Sequence, residues 1–188
     1  LIAMSTHGHT GIRHWLLGNV ADKIVNYSMK PVWLIKSFED QPVNLEYDQK
    51  ILVLLDGSET AERILPYATY HARLSNGEIT LLHVCEPPEI IPAGTYHLIP
   101  QGYPPTLPLE WEKYVERELE KRGRECQLYL QRFIDKDREN GVKTNYEYLF
   151  GKAGEELERY LKTVPVSLVA LTTRGSSGLA RRVVGSVA

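Results

Sequence analysis

Continuous apolar runs alternate along this chain with stretches in which apolar residues recur every three or four positions. Residues 50–56, Lys-Ile-Leu-Val-Leu-Leu-Asp, form a short unbroken run that reads as a parallel strand buried on both faces. Gly57 and Ser58 break it. Residues 59–74 then carry helical spacing, with Ile64, Leu65, Ala68 and Ala72 on one side, and Ser75-Asn76-Gly77 stops the helix. Residues 78–84, Glu-Ile-Thr-Leu-Leu-His-Val, are a second buried strand. Residues 86–108, rich in proline, glycine and tyrosine, read as a mobile surface loop rather than a dedicated lid. Residues 110–140 predict one long amphipathic helix ending at Gly141, its charges a solvated face. Residues 144–150 have strand character, 153–163 are helical, and 164–171 are a third Val/Leu-rich run. A glycine-punctuated loop, 172–178, leads into a further helix. Strands alternating with helices imply an α/β fold, an open parallel sheet with helices on both faces.

The two ends of the chain repeat one another. Residues 1–21 (LIAMSTHGHTGIRHWLLGNVA) align without a gap on residues 168–188 (LVALTTRGSSGLARRVVGSVA), with 8 of 21 positions identical, among them Gly8/Gly175, Gly11/Gly178 and Gly18/Gly185. The first copy continues through a helix into a proline-led strand at 31–35; the second stops inside the equivalent helix. The expected organisation is the late part of a first unit (1–36), a polar linker (37–49) and a second unit (50–188) lacking its last strand. The opening on Leu1, in an apolar stretch, leads us to expect a beginning upstream.

Composition narrows the field. Hydrophobic residues are 43% and charged residues 24% of the 188 positions, the profile of a globular domain with a real core. The formal net charge of -2 points to neither nucleic acid nor an anionic membrane as partner. No run reaches the roughly 18 apolar residues of a membrane span, and a cytoplasmic location is expected. The two cysteines, Cys85 in an apolar run and Cys126 in a charged helical stretch, have no neighbour at metal-ligand spacing, which argues against zinc. Their pairing as a disulfide stays open, although nothing suggests an oxidising compartment.

In an open parallel sheet, ligands bind beyond the carboxyl ends of the strands, where strand order reverses. Asp56 with Gly57 closes the first strand, Val84 closes the second, and Thr172-Thr173-Arg174-Gly175 follows the last, leading to Gly178, Gly185 and Ser186-Val187. Glycines there let backbone N–H groups approach phosphate oxygens, and a helix N-terminus assists. Ser186 offers a hydroxyl and an N–H; Asp56 offers acceptors for a ribose hydroxyl or an adenine amino group. The plainer alternatives are an Asp56 that is the N-cap of the next helix and a glycine loop that is only a turn. Neither GxxxxGK[ST] nor GxGxxG after the first strand occurs.

These residues resemble the universal stress protein family. Its nucleotide-binding members carry Gly, two residues, Gly, nine residues, Gly, then Ser or Thr. Gly175, Gly185 and Ser186 match, with Thr172 at the leading glycine position. In the first copy Gly8 and Gly18 match, with Ser5 for the leading glycine and Asn19 for the hydroxyl residue. Asp56 in Leu-Leu-Asp-Gly-Ser, His83-Val84, and the stretch from Phe150-Gly-Lys-Ala-Gly to Thr172-Thr-Arg-Gly also fit the family pattern. The resemblance implies five parallel strands per domain and ATP or AMP in the crevice, with Mg2+ as an optional companion. It also implies pairing, as a homodimer or between domains of one chain, through the last strand.

Three functions follow from this reading. The first is a nucleotide-binding regulatory module of the stress response. The second is an ATPase, slow at most, for which Asp56 and His83 are the available groups and His83 reads rather as a packed core histidine. The third is a dimerisation or scaffold module without nucleotide, which Thr172 and Asn19 favour. The strand at 31–35 is expected beside the second unit's sheet.

Overall fold

The organising strand is β3 (Lys50–Leu55), seen in a computed structural model that describes residues 1–5, 19–35, 49–86 and 109–173. Its residues Ile51, Leu52 and Val53 are each at most 1% exposed, so both faces of the strand are covered, as its unbroken apolar run requires. It is followed by α2 (Glu59–Glu62), α3 (Leu65–Ser75), β4 (Glu78–Cys85), α4 (Leu109–Glu139), β5 (Lys143–Phe150), α5 (Ala153–Thr163) and β6 (Leu168–Ala170). The four strands form one parallel sheet in the order β5-β4-β3-β6. Among the described residues this sheet has four strands, where the family resemblance implies five per domain.

Alternation along β3 feeds two cores. Ile51, Val53 and Leu55 pack with Ala61, Ala68 and Ala72 of α2 and α3, with Ile79 and Leu81 of β4, and with Leu130 of α4. Leu52 turns the other way and packs with Leu82 of β4 and with Leu157 and Tyr160 of α5. Helices therefore cover both faces. Each fully buried Leu or Ile contributes about 1.5–3 kcal/mol of transfer free energy.

A polar tie fixes α3 and α4 to this frame. Asp137, near the end of α4, is 5% exposed and accepts hydrogen bonds from Thr69 Oγ1 of α3 (2.8 Å) and Thr144 Oγ1 of β5 (3.0 Å). Glu156 of α5 is equally buried and is paired with Arg159. It leaves no room at Gly151, whose φ is +149° and whose absent Cβ would lie 2.6 Å from Glu156 Oε1.

The elements differ from the pattern in four places. The single helix expected over 59–74 is two, because Pro66 has no N–H to donate and its ring crowds the preceding turn; Arg63 and Ile64 close tighter turns onto Thr60 and Ala61. The second strand runs one residue further, to Cys85. Of the apolar run 164–171 only Leu168–Ala170 is strand, while Val164 and Val166 pack against the core beneath α5. Finally, β2 (Val32–Ile35) does not join the four-stranded sheet. It pairs in parallel with β1 (Ile2–Ser5) in a separate two-stranded sheet, Ile2 opposite Val32, with α1 (Asn19–Tyr27) between them in sequence. The chain divides into two units after residue 46.

Candidate functional site

All four strands of the larger sheet run the same way, so their carboxyl ends lie on one side. The chain passes from β3 to β4 to β5 and then returns to β6 on the far side of β3, so strand order reverses between β3 and β6. Such a reversal opens a crevice between the loops that leave the two strands. Asp56 leaves β3 there, and Thr172 stands two residues beyond β6.

Asp56 is exposed, and its Oδ1 accepts hydrogen bonds from the Ser58 N–H (3.0 Å) and the Ser58 hydroxyl (2.5 Å). Ser58 is the N-cap of α2, its Oγ accepting from the Ala61 N–H at 3.1 Å. The aspartate thus braces a capping serine rather than capping the helix itself. Gly57 between them has φ +83°, in the left-handed region. An added Cβ would meet nothing nearer than His83 Cε1 at 3.9 Å, so the requirement for glycine there is one of backbone angle and not of space.

A pocket of about 310 Å³ opens beside Asp56, towards α4. Asp56 and Gly57 line it from β3, His83, Cys85 and Glu86 from β4 and its exit, and Arg122, Glu125, Cys126 and Tyr129 from α4. The half-buried His83 is oriented by the Leu55 carbonyl, 2.7 Å from Nδ1, to which only an Nδ1–H can donate. Arg122 Nη1 donates to the Glu86 carbonyl at 3.0 Å. Cys85 and Cys126 are joined in a disulfide that ties α4 to the end of β4. Tyr129 packs against His83 (5.7 Å between ring centroids) and edge-on against Phe133 (5.4 Å). Its hydroxyl is buried, with no hydrogen-bond partner among the described residues. That burial, with the Glu62 carboxylate nearby, holds its pKa well above the ordinary phenol value.

Of the residues expected at a site, Asp56 and Gly57 line this pocket. Val84 is half-buried and, by strand alternation, faces away from the side that His83 and Cys85 share. Thr172 is half-buried and is not among the described lining residues, Ser5 ends β1 in the first unit, and Asn19 opens α1. Arg174, Gly175, Gly178, Gly185, Ser186, Val187, Gly8 and Gly18 lie outside the described residues. Arg122, Glu125, Cys126 and Tyr129 were not expected, because the α4 charges read as a solvated face. Their signal is the spacing of the apolar residues: Val115, Leu119, Cys126, Leu130 and Ile134 are all buried, four or seven apart, which puts Cys126 on the inner stripe.

The universal stress protein family matches residues 1–36 and 49–188. Universal stress protein YxiE of Bacillus subtilis is 27% identical over 138 residues, 73% of this chain and 87% of that protein. The structure of UspA from Lactobacillus plantarum superposes with a TM-score of 0.53 at 17% identity, covering 69% of this chain and 80% of the other. A universal stress protein from Archaeoglobus fulgidus reaches 0.57 at 19% identity, covering 89% of this chain but 48% of its own length. At such identities the structures share the fold, while the family match spans nearly every residue: the chain belongs to the universal stress protein family.

Proposed function

We propose that this chain is an adenine-nucleotide-binding regulatory protein of the stress response. The observation that carries the reading is Asp56, exposed at the carboxyl end of the central strand, bordering both the strand-order reversal and the 310 Å³ pocket. The base and ribose of ATP or AMP sit against Asp56, Gly57 and the end of β4 near Val84, and the phosphates meet the Thr172–Gly175 turn and the Gly185-Ser186-Val187 segment. Mg2+ accompanies a bound triphosphate. Regulation rather than turnover suits the available groups, since Asp56 Oδ1 already holds Ser58 and His83 Nδ1 is committed to Leu55. The repeat of residues 1–21 at 168–188, with the Archaeoglobus structure of roughly double length, supports a tandem two-domain protein whose occupancy shifts domain pairing or homodimerisation in the cytoplasm.

The test is to denature the purified full chain, identify the small molecules released, and titrate ATP and AMP calorimetrically. Adenine nucleotide is expected in the supernatant, with affinity at least about tenfold weaker in a folded Asp56→Ala variant. No released nucleotide and no binding at millimolar concentration refutes the reading and leaves a nucleotide-free dimerisation module.

A further inference from the structure

His83 and Cys85 are two residues apart on β4, so their side chains share one face of the strand. Cys126 reaches the same place from the buried stripe of α4. One ligand atom from each of the three lies within 4.8 Å of the others. Tetrahedral zinc with metal–sulfur bonds of about 2.3 Å and metal–nitrogen bonds of about 2.0 Å holds such atoms about 3.5–3.8 Å apart, so the two sulfurs, bonded to each other here, must part while the imidazole stays within reach. The sequence hides the set because its members come from two elements, with Cys85 and Cys126 41 positions apart.

Three further observations fit a metal. The Leu55 carbonyl fixes the His83 tautomer through Nδ1–H, leaving the Nε2 lone pair as the ligating one, the outer-shell arrangement usual for metal-bound histidine. The cysteines are 5% and 8% exposed, so a cation bound to them is shielded from competing water, and it supplies the charge that lets their thiols ionise. Their Cα atoms are 7.2 Å apart, wider than the ~4.4–6.8 Å usual for a disulfide and suited to two thiolates sharing one ion.

We propose that reduction of the Cys85–Cys126 bond creates a Cys2His site for a soft divalent cation of the zinc class, its fourth position facing the pocket beside Glu86 and Glu125. A dithiol supplies the two electrons. Its thiolate attacks one sulfur, its second thiol releases the mixed disulfide, and Cys85 and Cys126 emerge as thiols while the dithiol becomes a disulfide. The ion then displaces one proton from each thiol, and His83 binds neutral through Nε2. The disulfide and the metal site are two states of the same three side chains. This inference does not depend on nucleotide binding.

Cobalt(II) is the probe. The full chain is reduced with a phosphine, which does not compete for the ion, and titrated without oxygen. One equivalent is expected to give a thiolate-to-metal charge-transfer band and the visible bands of tetrahedral cobalt, both erased by zinc. The oxidised protein gives neither. Cys85→Ser and Cys126→Ser lose the charge-transfer intensity, and His83→Ala weakens binding at least about tenfold. No such bands in the reduced protein, or equal bands in the double serine variant, overturn the proposal. Should reduction unfold the chain, recovery of its far-ultraviolet circular dichroism on adding zinc supports the site, and failure to recover overturns it.

Discussion

The tie at Asp137 can be broken and its worth measured. Its carboxylate is 5% exposed and binds hydroxyls from α3 and β5, so one side chain joins three elements. Hydrogen bonds to a charged group contribute about 1.5–3 kcal/mol each. Thr69 and Thr144 are only half-buried, so their freed hydroxyls regain part of that from water. Asp137→Ala is therefore expected to cost about 3 kcal/mol, a large share of the roughly 5–15 kcal/mol that holds a domain together. Thr69→Val, which keeps the shape and removes one hydroxyl, should cost about 1 kcal/mol. In the double variant the costs should fall short of additivity by about 1 kcal/mol, because the Thr69 bond can be lost only once. Urea denaturation followed by far-ultraviolet circular dichroism gives each value from the midpoint and slope. An Asp137→Ala cost under about 1 kcal/mol, or costs that add to within about 0.3 kcal/mol, would refute the claim that this carboxylate clamps α4 to the sheet.

Reducing the Cys85–Cys126 bond in metal-free buffer frees a loop of 41-residue separation; the chain-entropy relation gives a loss of about 4 kcal/mol, read as a fall in urea midpoint. Gly57→Ala forces a side chain onto φ +83° with space to hold it, so a purely conformational cost of about 1–2 kcal/mol is expected by the same assay. The Tyr160 phenol, buried and donating to Glu147 Oε1 at 3.0 Å, is pushed up to about 12. The folded state then keeps a proton that the unfolded chain releases near pH ~10, so stability is intact below about pH 10 and falls towards about pH 12. Tyr129, raised in the same sense, adds to the slope. Urea midpoints against pH should flatten in Tyr160→Phe, and an unchanged slope counts against the assignment.

Periodicity carried most of the architecture. The runs at 50–56 and 78–84 are strands because they are short, rich in Ile, Leu and Val and bounded by turn residues, and the odd and even residues of β3 divide between two cores as parity demands. Pro66 carried its own warning, since a helix through it would lose a hydrogen bond. The pocket was half legible. Asp56 and Gly57 stand at a strand end that sequence order identifies, whereas Arg122, Cys126 and Tyr129 depend on how α4 is rotated over the sheet. That rotation is set by packing of Leu119, Leu130 and Ile134, and a helix rich in Glu, Lys and Arg hides so narrow a stripe. The meeting of Cys85 with Cys126 is a property of the crossover from β4 to α4, which no local spacing encodes.

The double-sided burial of β3 has a consequence for how such a protein can diversify. Polar replacement at any of Ile51, Leu52 or Val53 strands a side chain in one core or the other, so the strand has no face on which mutations can accumulate unseen. Three and five residues beyond Val53, Asp56 is exposed and Ser58 half-buried, and what they hold is the cap of α2 rather than either core. Scaffold and strand exit are thus written in adjacent stretches of one segment, and on the proposed nucleotide reading the exit can change what it binds without disturbing either core.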